Sequence, residues 1–281
     1  MAKATGGGVA GRIDWCTFGG LALAFAGILG GLVLEGGHIQ DVAQVTAAAI
    51  VLGGTVGAVL ISKPFDSVRS AWRRIPEVLF GPAGPGADEL AGELVGLAKQ
   101  VRRIGIASLE NQAMEAKDPF VQKALGLAAD GVDSRELKRI MEMELETEQL
   151  RYQTDAAVFE AGGGYSPTIG IIGAVLGLIQ VMKHLDRLEE VGRGIAVAFV
   201  ATVYGVALAN VILLPIAAKI QARAQRAQEL HELILNGVLA IAAGTNPRLV
   251  RLQLDAYCSS GQVQREQEAE AAGHARVARI G

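Results

Sequence analysis

The run Ala161-Gly-Gly-Gly-Tyr-Ser-Pro-Thr-Ile-Gly-Ile-Ile-Gly-Ala-Val-Leu-Gly-Leu-Ile-Gln-Val-Met182 contains no Asp, Glu, Lys, Arg or His. As a helix it is about 33 Å long, enough to cross the roughly 30 Å hydrocarbon core of a bilayer. Three more stretches share the property: Trp15 to Leu34, Val42 to Ser62 and Gly194 to Ala218. The next uncharged interval, Leu233 to Pro247, is too short to span and is interrupted by Asn236, Gly244 and Asn246. The spacing of charge therefore predicts an all-α membrane protein with four transmembrane helices, at 15–34, 42–62, 161–182 and 194–218.

Outside these runs, Lys and Arg collect on one side of the predicted membrane. Lys3 and Arg12 precede the first span, Lys63, Arg69, Arg73 and Arg74 follow the second, and Lys219, Arg223 and Arg226 follow the fourth. The 35–41 connection has neither residue, and in the 183–192 connection Lys183 and Arg187 are offset by Asp186, Glu189 and Glu190. This asymmetry places the N-terminal segment 1–14, the large loop 63–160 and the tail 219–281 in the cytoplasm. No cleavage site follows the first span and Cys16 precedes its apolar run, so neither a secretory signal nor a lipoprotein acceptor is expected. A net charge of −3 leaves no basic excess for nucleic acid. Cys16 and Cys258 are too far apart in sequence for a disulfide scaffold or a cysteine-built zinc site.

The hydrophilic segments read as helical throughout, with no strand-period stretch and no internal repeat. Gly81-Pro-Ala-Gly-Pro-Gly86 marks a turn that divides the loop. From Ala87 to Glu115, helical spacing puts Leu90, Leu94, Leu97, Val101 and Ile104 on one stripe. Asp118-Pro119 opens a short helix. Asp133, Ser134 and Glu136 start a long one, running to about Glu160 and on into the third span. The tail is helical from Lys219 to about Ala243 and is expected to be disordered from Ser259.

No catalytic constellation stands out, so the chain is not expected to be an enzyme. His38, His184, His231 and His274 are scattered, and none has a second ligand at metal spacing. The run Gly162-Gly163-Gly164 lacks the Lys-Ser/Thr of a phosphate loop and reads as a flexible joint at the mouth of the third span. Gly27-x-x-x-Gly31, Gly53-x-x-x-Gly57 and Gly173-x-x-x-Gly177 allow close helix approach. For the first two spans, packing within the chain explains them at least as well as an oligomeric core. Pro167, near the start of the third span, costs little; Pro215, inside the fourth, leaves a carbonyl without its donor. Thr202 and Asn210 are spaced to share a face, and a lone Thr in a span often bonds its own i−4 carbonyl. Proton relay needs a titrating group, typically an intramembrane carboxylate, and these spans have none. A proton path would need a carboxylate from another chain.

Beyond this physical reading, the sequence resembles the A subunit of the bacterial flagellar stator, the MotA/PomA family, over nearly its whole length. The resemblance rests on Gly164 to Gln180, on Ala196-Val-Ala-Phe-Val-Ala-Thr-Val-Tyr-Gly205 and on Leu214-Pro-Ile-Ala217. Arg102-Arg-Ile-Gly-Ile-Ala-Ser-Leu-Glu110 is similar to the family's torque-loop motif, and Gly244-Thr-Asn-Pro-Arg248 to its tail motif. It implies an ion-conducting stator subunit in the bacterial inner membrane, forming a homopentamer around two copies of a B subunit. That partner would supply the intramembrane Asp and a peptidoglycan-binding domain. The 63–160 loop would then generate torque on the rotor switch protein of the flagellar C-ring. The resemblance assigns coupling roles to Pro167 and Pro215 and rotor contact to Arg102 and Glu110, which, eight residues apart on one helix, would share a face.

The resemblance also bears on the ion. Sodium-driven members carry Thr where this chain has Ala174, and a Thr pair where it has Ala201-Thr202. Sodium needs a shell of oxygen ligands whereas a proton needs a carboxylate and water. Two missing hydroxyls favour inward proton flow, with no cofactor and no metal centre. Tyr204-Gly205 is closer to the sodium type and keeps a sodium-driven stator as the alternative. An ExbB/TolQ-type energiser of envelope transport is the other, though its usual three spans and outside N-terminus fit less well.

Overall fold

The computed structural model describes residues 14–80, 85–116 and 118–258. Within them the chain is helical, with no strand beyond a single bridge position at Phe80. Lys3 and Arg12, most of the turn at 81–86 and the segment from Ser259 onward lie outside the described residues. Four helices are long and apolar enough to cross a membrane, in accord with the four uncharged runs. Contacts divide the chain into two units, one formed by residues 1–83 and 151–223, the other by 84–150 and 224–281.

The first unit opens with α1 (Trp15–Leu34), started by Asp14, whose carboxylate accepts from the amides of Cys16 and Thr17. A one-turn helix α2 (Ile39–Val42) leads into α3 (Val45–Ser62). The continuous second span expected from Val42 is thus broken at Ala43-Gln44. Lys63 and Pro64 separate α3 from α4 (Phe65–Leu79), a helix apolar on one face only. α8 (Ser134–Lys183) is one uninterrupted 50-residue helix, and its part from Arg151 onward belongs to this unit. α9 (Leu188–Ala207) passes through a π-helical turn, Leu208–Leu213, into α10 (Leu214–Ala242). Val68 and Ala71 of α4 are buried with Ala156 and Phe159 of α8 and with Ala217 and Ile220 of α10. A second cluster joins Ala47 and Val51 of α3 to Val200 and Ala201 of α9. No residue of α1 is buried.

The second unit packs α5 (Ala87–Ile104), α6 (Leu109–Glu115), α7 (Pro119–Ala129), the first part of α8, the last part of α10 and a helix over 247–258, α11. Its core includes Leu94, Leu109, Phe120, Met141, Leu233 and Leu254, all nearly inaccessible. The tail motif proves to be chain punctuation. Gly244 adopts φ +69°, its amide bonds to Ile241 O, and that of Thr245 reaches back to Ala240 O, closing α10. Asn246 then accepts from the Arg248 amide and Pro247 opens α11.

Two expectations about local structure are corrected. The helix predicted from Ala87 to Glu115 is split: Gly105 takes φ +92°, a conformation side chains disfavour, and a short 3-10 turn (Ile106–Ser108) follows. Arg102 therefore ends α5 while Glu110 begins α6, so the two do not share one helix face. The Gly162–Gly164 run is no joint either, because α8 continues through it.

Candidate functional site

α8 and α9 run side by side in opposite directions, with backbone nearly touching backbone. A methyl group placed on Gly170 would lie 2.9 Å from Ala201 O, and one on Gly177 would lie 2.8 Å from Ala198 N and from Gly194 O. On α9, a methyl at Gly205 would meet Ser166 O at 2.6 Å. These are main-chain atoms, which cannot move aside as a side-chain tip can. Glycine at 170, 177, 194 and 205 is thus what allows the seam to form. α3 closes on it where Gly54 approaches Ile169 and Gly173 approaches Ile50.

Polar groups along the seam are few and placed. Ser166 is fully buried and donates to Gly205 O at 2.9 Å, the hydrogen bond that joins α8 to α9. Such a bond within a membrane contributes about 0.6 kcal/mol, up to about 1.7. Thr202 is half-buried and its hydroxyl donates to Ala198 O at 3.1 Å, so it is committed to its own helix. Tyr204 OH donates to Val42 O at the end of α2. Ala201 has no exposure and sits against Gly173, while Ala174, the next residue on α8, is half-buried. The proposed ion-path positions thus lie at one level of the seam, Ala201 inside it and Thr202 and Ala174 at its edge.

The two prolines sit in different local structures. Pro167 is interior to α8 and does not start a helix, so it removes the amide that would bond to Gly163 O. The residues four and three before it are Gly163 and Gly164, and Gly163 is packed on Leu214 Cδ2, which a methyl there would meet at 2.6 Å. Pro215 is the second residue after the π-helical turn, the wider winding that absorbs its missing donor. Asn210, exposed in that turn, donates its side-chain amide to Val206 O at 2.9 Å. Both prolines pack near the same place, since Leu213 and Leu214 lie over Gly162 and Gly163.

At the end of α4 a charged cluster ties the helices together. Asp155 of α8 is 2% exposed, the one buried charged residue among those described. Arg74 bonds it through Nε at 3.0 Å, lies 3.8 Å over the Tyr152 ring and reaches Glu77 at 3.0 Å. Burial works against the guanidinium charge, but Tyr152, Glu77 and Asp155 outweigh it and Arg74 is held firmly protonated. Nearby, Lys219 pairs with Asp14 and Thr17, and Arg223 donates to Phe80 O at 2.7 Å and Val78 O at 3.2 Å. The Lys219 hydrogen bond is the main cause that holds the Asp14 carboxyl below its usual range. Sequence reasoning missed this cluster and Ser166. Asp155 stands in the sequence directly before the apolar stretch Ala156 to Phe159, but its partner is 81 residues away.

In the second unit, Arg102 and Glu110 are both exposed, on either side of the Gly105 break. On α10, His231 is clamped. Its ring stacks on Phe120 at 4.3 Å, Nε2 lies 3.4 Å from Asp118 Oδ2, and Nδ1 lies 3.1 Å from Glu148 Oε2, an ion-pair contact angled away from hydrogen-bond geometry. Burial opposes the imidazolium, yet the two carboxylates prevail and push its pKa up to about 9.

Comparison with known proteins gives the following. Residues 112–233 match the model of the MotA/TolQ/ExbB proton channel family, and residues 18–103 match that of the motility protein A N-terminal region. Motility protein A of Bacillus subtilis is 33% identical over 242 residues, 85% of this chain and 88% of that protein. The C. jejuni MotAB structure superposes with a TM-score of 0.83 at 29% identity, covering 87% of this chain and 96% of the matched one. The flagellar MotAB stator complex of Bacillus subtilis gives 0.81 at 31% identity, covering 86% and 95%.

Proposed function

We propose a stator role from one premise: the chain belongs to the MotA/TolQ/ExbB proton channel family, within its motility protein A branch. It is a multi-pass membrane protein that acts as an ion-channel subunit of the flagellar stator, together with a B-type partner. The ion is the proton, flowing inward across the bacterial inner membrane, with both termini and the 63–160 loop in the cytoplasm. Five copies surround two copies of the B subunit, whose intramembrane Asp carries the proton past α8 and α9. The loop delivers torque to the rotor, with Arg102 and Glu110 as contact charges on two separate helices.

The observation that carries this reading is the α8–α9 seam itself: a close-packed, weakly polar edge of Ser166, Ala174, Ala201 and Thr202 without a titrating group in any span. A proton moving there must ride on a carboxylate from elsewhere. Proton choice follows from the same edge, whose two hydroxyls are already bonded to backbone carbonyls, Ser166 to Gly205 O and Thr202 to Ala198 O, where a sodium shell needs several oxygens. Pro167 and Pro215 supply the coupling element. Each breaks the backbone ladder, and the glycines and leucines beside them bring the two breaks together. One charge crossing 100 mV releases about 2.3 kcal/mol, enough to bias a two-state packing there roughly fifty-fold. Swimming speed with sodium replaced by potassium tests the ion: unchanged speed is expected, and arrest would establish the sodium-driven alternative.

A further inference from the structure

α4 is held tightly on one side and bare on the other. Val68, Ala71 and Val78 are buried, Arg74 is locked to Asp155, and Arg223 caps the helix end. The opposite side exposes Phe65 by 71% and Trp72 by 62%, with Arg69 and Arg73 also exposed. At 100° per residue, Trp72, Phe65 and Pro76 fall within about 40° of one another, and Arg69 and Arg73 occupy the next sector of about 60°. Asp66 and Ser70 lie beyond the arginines. The order around the helix is buried face, aromatic edge, arginine stripe, acidic edge.

Depth fixes what this gradient meets. α3 ends at Ser62 and α4 begins at Phe65, so two linker residues, reaching about 7 Å at most, place α4 at the level where a span leaves the bilayer. Aromatic side chains are favoured at that level, and an arginine beside them can lay its stem along apolar groups and present its fork to phosphate oxygens. We propose that the exposed face of α4 is a lipid-binding surface selective for anionic phospholipid, with Arg69 and Arg73 on the headgroup phosphates and Phe65 and Trp72 at the acyl boundary. The surface fixes the depth of α3's end and, through Arg74, of Asp155 on α8. It rests on α3 crossing the membrane and is independent of which ion the stator uses.

The chain has two tryptophans, so Trp15→Phe leaves Trp72 as the sole reporter. Full-length W15F is reconstituted into vesicles containing either brominated phosphatidylglycerol or brominated phosphatidylcholine, and Trp72 quenching is followed against mole fraction. Quenching by both lipids is expected, with phosphatidylglycerol effective at a lower mole fraction by about five-fold for each arginine. R69Q/R73Q should merge the two curves and R69K/R73K should keep them apart. In the W15F chain carrying no other change, about tenfold more salt should also merge them, so the test stands even if the glutamine variant fails to fold. Coincident curves at low salt would overturn the selectivity. Quenching by aqueous iodide but not by lipid would place α4 in water. Shielding from both quenchers would place Trp72 against another copy of the chain, and either result overturns the surface.

Discussion

Gly173-x-x-x-Gly177 and Gly27-x-x-x-Gly31 are the same motif in two settings. In the first, added methyl groups would strike Ala201 Cβ and the backbone of Gly194 and Ala198 at 2.8 Å; in the second, nothing lies within 4 Å. Gly53 and Gly57 are equally open: α3 packs within the chain through Ala47, Val51 and Gly54, on a face other than its glycine pair, and α1 does not pack through its pair at all. A small-residue pair says that a helix can be approached closely, and the neighbour decides whether it is. α8 and α9 find theirs within the chain. α1, with no buried residue, finds lipid or another chain, which is where the proposed pentamer has room to form.

The largest effect should come from filling the closed seam. Gly205→Val puts carbon against Ser166 O and Pro167 Cα, at 2.6 and 3.2 Å from the added Cβ, and should abolish motility and stable accumulation in the membrane. Gly27→Val, with no such neighbour, should leave the single chain intact. If both variants accumulate equally, the contrast between the two motifs fails.

A perturbation touching neither glycine face comes next. His231→Leu removes the hydrogen bond to Asp118 and the ion-pair contact to Glu148 and should cost the second unit about 1.5–3 kcal/mol, the range for a hydrogen bond to a charged group. Because the folded pKa of about 9 lies above the ordinary 6.5, the stabilisation is complete below about pH 6.5 and is lost as pH rises through about 9. Thermal unfolding between pH 6 and 10 should show that decline in the wild type and not in the variant. Smaller still is Ser166→Ala, which removes one interhelical bond and leaves Gly205 O unpaired, for about 0.6–1.7 kcal/mol. Gly27→Ala should change nothing measurable in the chain alone. Chemical cross-linking should instead show altered subunit association, and unchanged association would assign the α1 face to lipid.

The four spans were legible because charge is so costly in lipid that its absence alone marks them. The glycine motifs were legible as motifs but not as contacts, since the same letters serve a closed seam and an open face. Arg102 and Glu110 were found by resemblance, yet placing them on one helix overlooked Gly105 between two isoleucines, a stop signal already in the sequence. Pro167 was misplaced for a different reason. It was read as lying near the start of the third span, although the helix from Ser134 was itself expected to run on into that span, which puts Pro167 in a helix interior. The Arg74–Asp155 pair was out of reach, because nothing local announces a partner on another helix.

The central claim, that α8 and α9 conduct protons only with a carboxylate from a partner, is tested by internal pH in cells carrying this chain with and without its B-type subunit. An imposed inward proton gradient should acidify the cytoplasm only when both are present, equally in sodium and in potassium medium. Acidification by this chain alone, or acidification that requires sodium, would contradict it.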